Sequence, residues 1–366
     1  MKILLLGFAK MKFMPYASFY LDKIDYEKNE VDIVYWNRDL KNEDLTKYNE
    51  AIRFHEFRDE MADWIGKKQK ISHFYRYRKF VNGILQKKRF DIIISLHTLP
   101  GLLVLDKLLT QYKKKYILDY RDSTFEYNKI FGRLVKKLAQ NSKTVFVSSD
   151  AFRRFLPEDK VETITSHNIL AESLSHRNDR IQGYIKSDKI RLSFWGLLRH
   201  YGHNEKIISR LGNDDRFEIH YYGREGSTGE NIRKYISANN IKNVFVHGEY
   251  HPEDRYDFAK CTDIILNSYY DENTMLAMGN KYYDGIIFRI PQLCMVGSYM
   301  AQRCEEKGVG FGLNPDDDDY ADQLYHHYKT LDWRQFDDNC DKDLKEILNE
   351  YDYGRKKIAL LLNSAK

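Results

Sequence analysis

Cysteine is scarce in this chain of 366 residues, which holds four, at positions 261, 294, 304 and 340. Their positions show neither the paired spacing of a zinc site nor the density of a disulfide framework. We therefore expect reduced thiols, as in a cytoplasmic protein.

Long apolar runs are also missing, since none approaches the roughly 18 residues that a membrane-spanning helix needs. The first ten residues, MKILLLGFAK, have a short apolar core and no small-x-small cleavage pattern. We interpret them as a buried strand rather than a signal peptide. A hydrophobic content of 42% excludes a disordered protein, so we expect a soluble, globular one.

Two glycine-rich phosphate motifs are absent. The loop after the first predicted strand reads GFAKMK, without the G-x-G-x-x-G that lets a dinucleotide pyrophosphate approach the backbone. The chain also has no G-x-x-x-x-G-K-[ST] loop. These absences argue against a dehydrogenase and against a P-loop nucleotide hydrolase.

Charge is distributed unequally along the chain. Residues 1–180 hold 34 Lys and Arg against 24 Asp and Glu, whereas residues 181–366 hold 25 against 30. The first half is therefore the candidate for contact with an anionic surface or substrate.

Segments typical of strands and helices alternate through both halves. Strands are predicted in the first half at residues 2–6, 31–36, 90–96, 115–119 and 144–148, with a helix at 13–24 and a longer helical insertion at 50–89. After a polar linker at 175–189, further strands are predicted at 191–195, 217–222, 243–247, 263–267 and 292–296. This alternation indicates parallel sheets covered by helices on both faces. We predict an α/β protein of two Rossmann-like, doubly wound domains, residues 1–175 and 190–342, facing a cleft, with helices at 343–366 that return to the first domain.

The stretch 279–291, GNKYYDGIIFRIP, predicts a short helix that starts after Gly279 and ends before Pro291. The N–H groups of a helix's first turn attract phosphate, and Lys281 adds a positive charge there. Asp284, one turn later, could accept hydrogen bonds from ribose hydroxyls. The alternative is a capping Asn280, a solvated Lys281 and an ordinary first-turn acid.

Three glycines, Gly196, Gly223 and Gly248, stand directly after predicted strands of the second half. Each alone is typical of a turn. Together they favour a shared ligand edge where the strands end.

The order and spacing of these segments resemble GT-B glycosyltransferases of the glycosyl transferase group 1 (family 4-like) kind, frequent in bacterial capsule and exopolysaccharide clusters. In the second half the resemblance rests on FWGLLRHYGHNEKI, FEIHYYGREG, NVFVHGEY, the segment 261–300 with GNKYYDGIIFRIPQLC, and EEKGVGFGL. In the first half it rests on MPYASFYLDKID, VDIVYWNRDL, ILDYRDSTFE, VFVSSDAFRRFLP and ITSHNI.

This resemblance implies a nucleotide-sugar donor held by the second domain, with a UDP-sugar favoured over a GDP-sugar, and an acceptor held by the first. Asp284 occupies the position of the family's ribose-binding glutamate, while Asn280, Lys281 and Arg199 lie near the diphosphate. The remaining donor-binding positions border the nucleotide and its base: Gly196, Gly223, His247, Gly248 and Tyr250. Relatives imply retention of the anomeric configuration and a lipid-linked or oligosaccharide acceptor.

The chain departs from the family pattern at three places. The first of the family's paired glutamates corresponds to Leu276, the basic residue directly after the first glycine to Leu197, and a following lysine to Tyr201. These changes affect the sugar-contacting part of the site more than the nucleotide part.

Cations could neutralise the leaving diphosphate without a metal ion, so we predict a metal-independent transfer and no cofactor. Two acidic groups compete with this prediction, the run DDDD at 316–319 and the pair Asp271 and Glu272. We interpret both as loop or surface acids.

On the acceptor side, DYRD ends a buried strand. Asp119 or Asp122 could orient or deprotonate an acceptor hydroxyl, and Arg121 could bind a phosphate. An internal pair of Asp119 and Arg121 is the alternative. His97, at another strand end, and His167, before the linker, are further catalytic candidates, and a structural role is the alternative for each.

Residues 64–90 contain nine Lys and Arg and no acid, interleaved with aromatic residues that include Trp64. We predict contact with an anionic membrane surface on the cytoplasmic side, rather than with nucleic acid, because no nucleic-acid module is visible. A solvated basic helix is the alternative. The membrane patch comprises Lys67, Lys68, Lys70, Arg76, Arg78 and Lys79.

The sequence thus predicts a cytoplasmic, peripherally bound glycosyltransferase that extends a lipid-linked glycan of a surface polysaccharide. Two alternatives remain, a catalytically silent subunit that binds glycan or a partner and a nucleotide-sugar epimerase of the same fold.

Overall fold

The structure, a computed structural model, describes residues 1–62, 65–157 and 159–363, and of Lys67 and Gln182 only the main chain. The chain divides into two compact units, Met1–His167 with Asn349–Lys366, and Asn168–Leu348. Each unit is built on one parallel sheet. In the part of the chain that is described, no helix has the length and apolar character needed to cross a bilayer.

The first unit has a sheet of seven parallel strands in the order β3-β2-β1-β4-β5-β6-β7. Its elements are β1 (Lys2–Leu6), α1 (Ser18–Leu21), β2 (Glu30–Asn37), β3 (Ile52–Arg58), α2 (Lys67–Lys87), β4 (Ile92–Leu96), α3 (Thr98–Leu103), α4 (Leu105–Leu109), β5 (Tyr116–Tyr120), α5 (Lys129–Asn141), β6 (Thr144–Val147) and β7 (Thr163–Thr165). Strands β4, β5 and β6 are buried throughout, as expected of central strands covered on both faces.

The second unit has six parallel strands in the order β10-β9-β8-β11-β12-β13. Its elements are α6 (Asp179–Gly183), β8 (Ile190–Trp195), α7 (Tyr201–Leu211), β9 (Phe217–Tyr222), α8 (Gly226–Ala238), β10 (Val244–Gly248), α9 (Arg255–Lys260), β11 (Ile264–Leu266), α10 (Asn280–Phe288), β12 (Gln292–Met295), α11 (Tyr299–Lys307), β13 (Gly310–Leu313), α12 (Tyr320–Lys329) and α13 (Trp333–Asn363). The last helix begins in this unit, and its residues from Asn349 onward belong to the first.

The predicted helix of the 279–291 stretch is confirmed as α10, and the strand after it as β12. Two other predictions are wrong. The insertion at 50–89 is not helical throughout, because it opens with strand β3, whose sequence IRFHEFR alternates apolar and polar residues. The segment 13–24 has only one α-helical turn, α1, after two 3₁₀ turns at Met11–Phe13 and Pro15–Ala17, since Pro15 starts a turn of its own.

Candidate functional site

The second sheet reverses its strand order at β8, which fixes where a ligand crevice opens. From β8 the chain moves to β9 on one side, whereas β11 lies on the other side. The loops that leave the carboxyl ends of β8 and β11 therefore diverge. Doubly wound sheets bind ligands in the crevice that this divergence creates.

Glycine turns line this edge of the sheet. Gly196, Gly223 and Gly248 have φ angles of 138°, 141° and 87°, which other residues rarely adopt. The Gly196 N–H donates to the Tyr222 oxygen at 2.9 Å, and the Gly223 N–H donates to the Gly248 oxygen at 2.6 Å. A Cβ on Gly223 would lie 1.6 Å from the Gly196 oxygen, so the two turns pack too closely for any side chain.

Lys281 reaches this edge from the first turn of α10. Its side chain is only 8% exposed, and its Nζ donates to the Trp195 oxygen at 3.2 Å, at the end of β8. The ammonium lies 4.2 Å from the ring centroid of Phe194 and 5.0 Å from that of Tyr269. No carboxylate of the described residues lies within 4 Å of it. The structure therefore holds a nearly buried cation beside Gly196 without an ion-pair partner.

Helix α10 places its N-terminus next to this cation. Gly279 is the N-cap residue and has no side chain to cap the first turn, which contains no acid. Asn280 is exposed. The first turn thus adds the positive end of a helix dipole to the charge of Lys281.

Asp284 lies one turn further along α10 and is 4% exposed. Its carboxylate accepts a hydrogen bond from the Trp195 indole at 2.8 Å. Burial raises the pKa of Asp284, although Arg255, the indole and Lys281 oppose this rise. A ribose hydroxyl could reach Asp284 only where it shares the carboxylate with Trp195, so the ribose-binding role stays a prediction.

Tyr250 and Arg255 belong to the same neighbourhood. Burial, together with the Asp284 carboxylate, raises the pKa of Tyr250 to about 12. Arg255 is 8% exposed and donates to the Ser173 hydroxyl at 2.9 Å. The structure thus brings two predicted residues, Tyr250 and Asp284, together with Arg255, which no pattern in the sequence indicated.

The loop between β8 and α7 holds Arg199 at the surface. Asn204 fixes this loop, because its side-chain amide donates to the oxygens of Arg199 at 2.7 Å and His200 at 3.1 Å. His200 adopts a φ of 59°, and its Nε2 lies 3.2 Å from the Asp271 carboxylate. Burial lowers the pKa of His200, and the Asp271 side chain beside it is 42% exposed, while Arg199 stays exposed beside the site.

His203 and Ser268 join α7 to the loop after β11. The His203 Nε2 lies 2.8 Å from the Ser268 hydroxyl, and burial lowers the pKa of His203 to about 4. This imidazole is therefore neutral at neutral pH. A neutral histidine contributes no charge to the site, but it connects helix α7 to the loop after β11.

The His247 side chain, near the end of β10, lies among other rings. Its ring stacks on Tyr222 at 4.3 Å between centroids, and its Nε2 lies 3.0 Å from the Nδ1 of His220. Burial lowers the pKa of both histidines. His247 thus stacks on Tyr222 and His220, with Phe245 tilted against it at 6.4 Å between centroids, and contact with a nucleotide base stays a prediction.

In the first unit, Asp119 and Arg121 form an internal ion pair. The Arg121 Nε donates to the Asp119 carboxylate at 2.9 Å. The Arg121 side chain is 4% exposed and that of Asp119 is 0% exposed. The guanidinium also lies 4.6 Å from the Tyr16 ring centroid. Burial raises the pKa of Asp119, and the Arg121 charge opposes this rise. Both residues thus occupy the internal arrangement that the sequence left open, and acceptor contact stays a prediction.

His97 and Asp122 lie at the strand ends of the same sheet. The main-chain N–H of His97 donates to the main-chain oxygen of Asp119 at 2.8 Å. The imidazole Nε2 of His97 lies 3.9 Å from the Asp122 carboxylate. His97 has a φ of 96°, a strained conformation for a histidine. Asp122 is 53% exposed. This pair is therefore the accessible acid and imidazole at the carboxyl edge of the first sheet. The Nε2 of His167 instead lies 2.6 Å from the Glu350 carboxylate.

Several solved structures are similar to this chain over nearly its full length. The chain is similar to a sucrose-phosphate synthase from Thermosynechococcus elongatus, with a TM-score of 0.74 and 12% identity over 98% of both chains. HepE of Anabaena in complex with UDP gives a TM-score of 0.70 and 12% identity over the full length of both. An α,α-trehalose 6-phosphate synthase from Burkholderia multivorans gives 0.68 and 10%, covering 99% of this chain and 98% of that one. The chain has the GT-B fold.

No protein-family model matches the chain, and no curated protein sequence matches it. The GT-B fold is therefore established by structure and by the two sheets described above. Its assignment to the family 4-like group rests on the resemblance of the sequence alone.

The acidic groups of this GT-B chain are largely occupied by other side chains. In the run at 316–319, Asp316 pairs with Lys206 at 2.6 Å and Asp318 with Arg210 at 3.0 Å. Among the described residues, no group of three His, Cys, Asp or Glu side chains could hold a metal ion.

The cations of the basic segment at 64–90 differ in their surroundings. Arg76 pairs with Asp59 at 2.9 Å and Arg78 with Asp106 at 3.0 Å, so these two cations also hold the first unit together. Lys68 and Lys79 are exposed and Lys70 is half-buried on α2. Trp64 and the side chain of Lys67 lie outside the described residues.

Several residues of the site carry no signal in the sequence. Trp195, Arg255, His203 and Ser268 become neighbours of the predicted residues only through the fold. The sequence offers one local indication for two of them. Trp195 ends strand β8, and Ser268 follows the end of strand β11 by two residues.

Proposed function

We propose that this chain is a glycosyltransferase that takes a sugar from a nucleotide-sugar donor, held by the second unit at the carboxyl ends of its strands. The GT-B fold over the whole chain supports this proposal, because the similar structures include two synthases of sugar phosphates. Fold alone does not decide an activity. The decisive support is therefore local, and it comes from Lys281.

A nearly buried ammonium without a carboxylate partner is energetically costly, since burial removes its hydration. Among the described residues, the Lys281 ammonium contacts the Trp195 oxygen and two aromatic faces, and the Asp284 carboxylate acts on it from beyond ion-pair distance. A diphosphate placed between Gly196 and the start of α10 would supply the missing negative charge. The helix N-terminus would stabilise the same anion. This one observation carries the proposal.

The donor is proposed to be a UDP-sugar rather than a GDP-sugar. HepE, similar over its full length, has been solved with UDP and with UDP-glucose. In this chain the nucleotide would lie along the Gly223 and Gly248 turns, with its ribose near Asp284 and Tyr250. The buried pair of Trp195 and Asp284 would then position the ribose hydroxyls.

In the proposed reaction the acceptor hydroxyl forms a bond to the anomeric carbon while the bond from that carbon to the diphosphate oxygen breaks. The negative charge that develops on the leaving oxygen is stabilised by Lys281 and by the first turn of α10. The acceptor proton leaves with the departing diphosphate. We propose that the reaction retains the anomeric configuration and needs no metal ion.

The acceptor is proposed to be a lipid-linked glycan of a surface polysaccharide, met at the cytoplasmic face of a membrane. Helix α2 supports this through an exposed row in which Ile71 and Tyr75, 65% and 66% exposed, lie between Lys68 and Lys79. Exposed apolar side chains beside lysines suit an anionic bilayer surface.

Helix α5 offers a second such surface. Ile130 is 70% exposed and Leu134 is 39% exposed, and Phe125 and Tyr127 before the helix are both 57% exposed. Residues 127–143 hold five Lys and Arg and no acid. Helix α3 packs against both α2 and α5, so the two basic, apolar surfaces belong to the same layer of helices.

The experiment that tests the function is an assay of donor turnover with a panel of UDP- and GDP-sugars, combined with calorimetric titration of each. We expect binding of at least one UDP-sugar and slow hydrolysis in the absence of acceptor. If the folded protein neither binds nor turns over any donor, the proposal of an enzyme is wrong.

A catalytically silent GT-B subunit is the second candidate, and the leucine at position 276 favours it, because the resemblance calls for a glutamate there. Such a subunit would bind donor or glycan without turnover. An epimerase of the same fold would convert one nucleotide-sugar into another without any acceptor, and analysis of the assay products distinguishes all three.

A further inference from the structure

A cavity of about 410 Å³ opens at the amino ends of β8 and β11, the end of the second sheet opposite Gly196 and Lys281. The side chains around it come from α6 and the segment before β8, from the start of β11, and from α12 and α13. They include Arg180, Tyr184, Lys186, Asp263, Lys329 and Trp333. A volume of this size suits a small-molecule ligand.

Arg180 is the central cation of this cavity. Its guanidinium lies over the rings of Tyr184 and Trp333, with its central carbon 4.6 Å and 5.8 Å from their centroids. In the part of the chain that the structure describes, it donates hydrogen bonds to two main-chain oxygens, that of Thr262 at 3.3 Å and that of Arg289 at 3.1 Å. Among the described residues, no carboxylate lies within 4 Å of it. Burial lowers the pKa of Arg180, and the nearby Tyr328, Asp263 and Asp337 oppose this fall.

The buried acid of the cavity is already used. The Asp263 carboxylate accepts hydrogen bonds from the main-chain N–H of Arg191 at 2.8 Å and from the Tyr328 hydroxyl at 2.9 Å. It also pairs with the Arg191 side chain at 3.4 Å. Asp263 is therefore hydrogen-bonded within the sheet, and its charge acts on Arg180 only from beyond ion-pair distance.

Three lysines surround Arg180 in the lining. Lys189 lies 3.6 Å from Glu218, outside the cavity, whereas Lys186 and Lys329 have no ion pair among the described residues. The exposed Asp188 is the other acid of the lining. The cavity thus has an excess of positive charge as well as the flat apolar faces of Tyr184 and Trp333.

We propose that this cavity is a binding site for a small phosphorylated ligand of the size of a sugar phosphate. The phosphate would meet Arg180 and Lys329, since charge-assisted bonds to a guanidinium are the strongest that a phosphate makes in proteins. The carbon skeleton of the ligand would lie against Tyr184 and Trp333.

The site is separate from the one proposed for the donor. Strand β8, six residues long, lies between them, and at about 3.3 Å per residue this is roughly 20 Å. One small ligand cannot reach both Arg180 and Lys281. Binding here can therefore be tested without reference to glycosyl transfer.

The test uses Trp333, which lines the cavity and is 39% exposed, as a fluorescence reporter. Glucose 6-phosphate, inorganic phosphate and glucose are titrated into the full-length protein, and calorimetry checks each result. We expect saturable binding of glucose 6-phosphate, competition by phosphate, and no binding of neutral glucose. In Trp333→Phe the fluorescence change should disappear.

Arg180→Gln should weaken binding of glucose 6-phosphate at least about tenfold, since it removes a charge-assisted contact. Lys329→Gln, at an exposed position that does not endanger folding, should weaken it in the same direction. Lys281→Met, at the other end of the sheet, should leave it unchanged. Absence of saturable binding at millimolar glucose 6-phosphate, or wild-type affinity in Lys329→Gln and in any folded Arg180→Gln protein, would overturn the proposal.

Discussion

The Lys281 ammonium and the main-chain oxygen of Trp195 meet at 3.2 Å at the carboxyl end of β8. The same tryptophan donates its indole N–H to Asp284 at 2.8 Å. Trp195 thereby connects both charged side chains of α10 to the end of the central strand. The positions of Lys281 and Asp284 are set before any ligand arrives, which lowers the entropic cost of binding one.

Lys281→Met should weaken binding of UDP by about 1–3 kcal/mol, roughly 5- to 150-fold, because it removes a charge-assisted contact while keeping an apolar stem against Phe194. Calorimetric titration measures this difference. Lys234→Met, at an exposed lysine of α8, is the matched control and should bind UDP as the wild type does. Equal affinities of the two variants would exclude a role of Lys281 at the diphosphate.

Gly223→Ala should lower the free energy of unfolding by about 3 kcal/mol or more, since its φ of 141° is strained for alanine and the new Cβ would clash with the Gly196 oxygen. Urea denaturation provides the measurement. Gly202→Ala is the control, because nothing lies within 4 Å of a Cβ there. Within α7 this change should stabilise the protein by about 0.5–1 kcal/mol. A Gly223→Ala protein as stable as the wild type would show that the two turns are not closely packed.

His203→Gln should make stability less dependent on pH between about 6.5 and 4. Burial holds the pKa of His203 at about 4, below the value of about 6.5 in an unfolded chain. The unfolded state therefore binds more protons in this window, and wild-type stability falls as the pH is lowered, by up to about 3 kcal/mol from this group. Urea unfolding of both proteins near pH 7 and near pH 4.5 measures the effect.

The variant His326→Gln controls for the replacement of a surface histidine on α12. The advantage of the wild type over His203→Gln should shrink as the pH falls. An advantage that is constant with pH would mean that His203 does not change its pKa on folding.

Replacing Lys68, Lys70 and Lys79 by glutamine, together with Ile71→Ser and Tyr75→Ser, should remove most binding to vesicles with acidic lipids. Each cation near such a surface contributes about 1 kcal/mol. Vesicle sedimentation at two salt concentrations measures the loss. The full set of Lys67, Lys68, Lys70, Arg76, Arg78 and Lys79 should abolish binding.

A matched variant, Arg76→Gln with Arg78→Gln, distinguishes the membrane contribution from stability. It breaks the pairs with Asp59 and Asp106, so it should lower the free energy of unfolding. Most of the vesicle binding should remain. Vesicle binding that persists after all six neutralisations would contradict membrane contact through α2.

The fold class could be predicted from the sequence because central parallel strands are continuous apolar runs. The segments at 92–96 and 116–120, for example, are buried at every residue. Strand β3 was missed, because it is an edge strand with exposed or half-buried charges among its apolar residues and is followed by a long basic helix. Alternation over seven residues is a weaker signal than helical composition over forty.

The candidate site was partly predictable for a similar reason. Gly196, Gly223 and Lys281 stand at strand and helix ends, where the chain order alone places them at the ligand edge of the sheet. The sequence could not show that Arg121 meets Asp119 inside the first unit, or that His247 stacks on Tyr222, because side-chain direction depends on packing. Arg255 reaches the neighbourhood of Asp284 from a different helix, a tertiary contact without local signature.

The central claim is that a nucleoside diphosphate binds between the Gly196 turn and the start of α10. A crystal structure with UDP bound tests it most directly. We predict a diphosphate oxygen within hydrogen-bond distance of the Lys281 Nζ and a ribose hydroxyl on Asp284. UDP bound away from both residues, in crystals where the second unit is folded as described, would contradict the account.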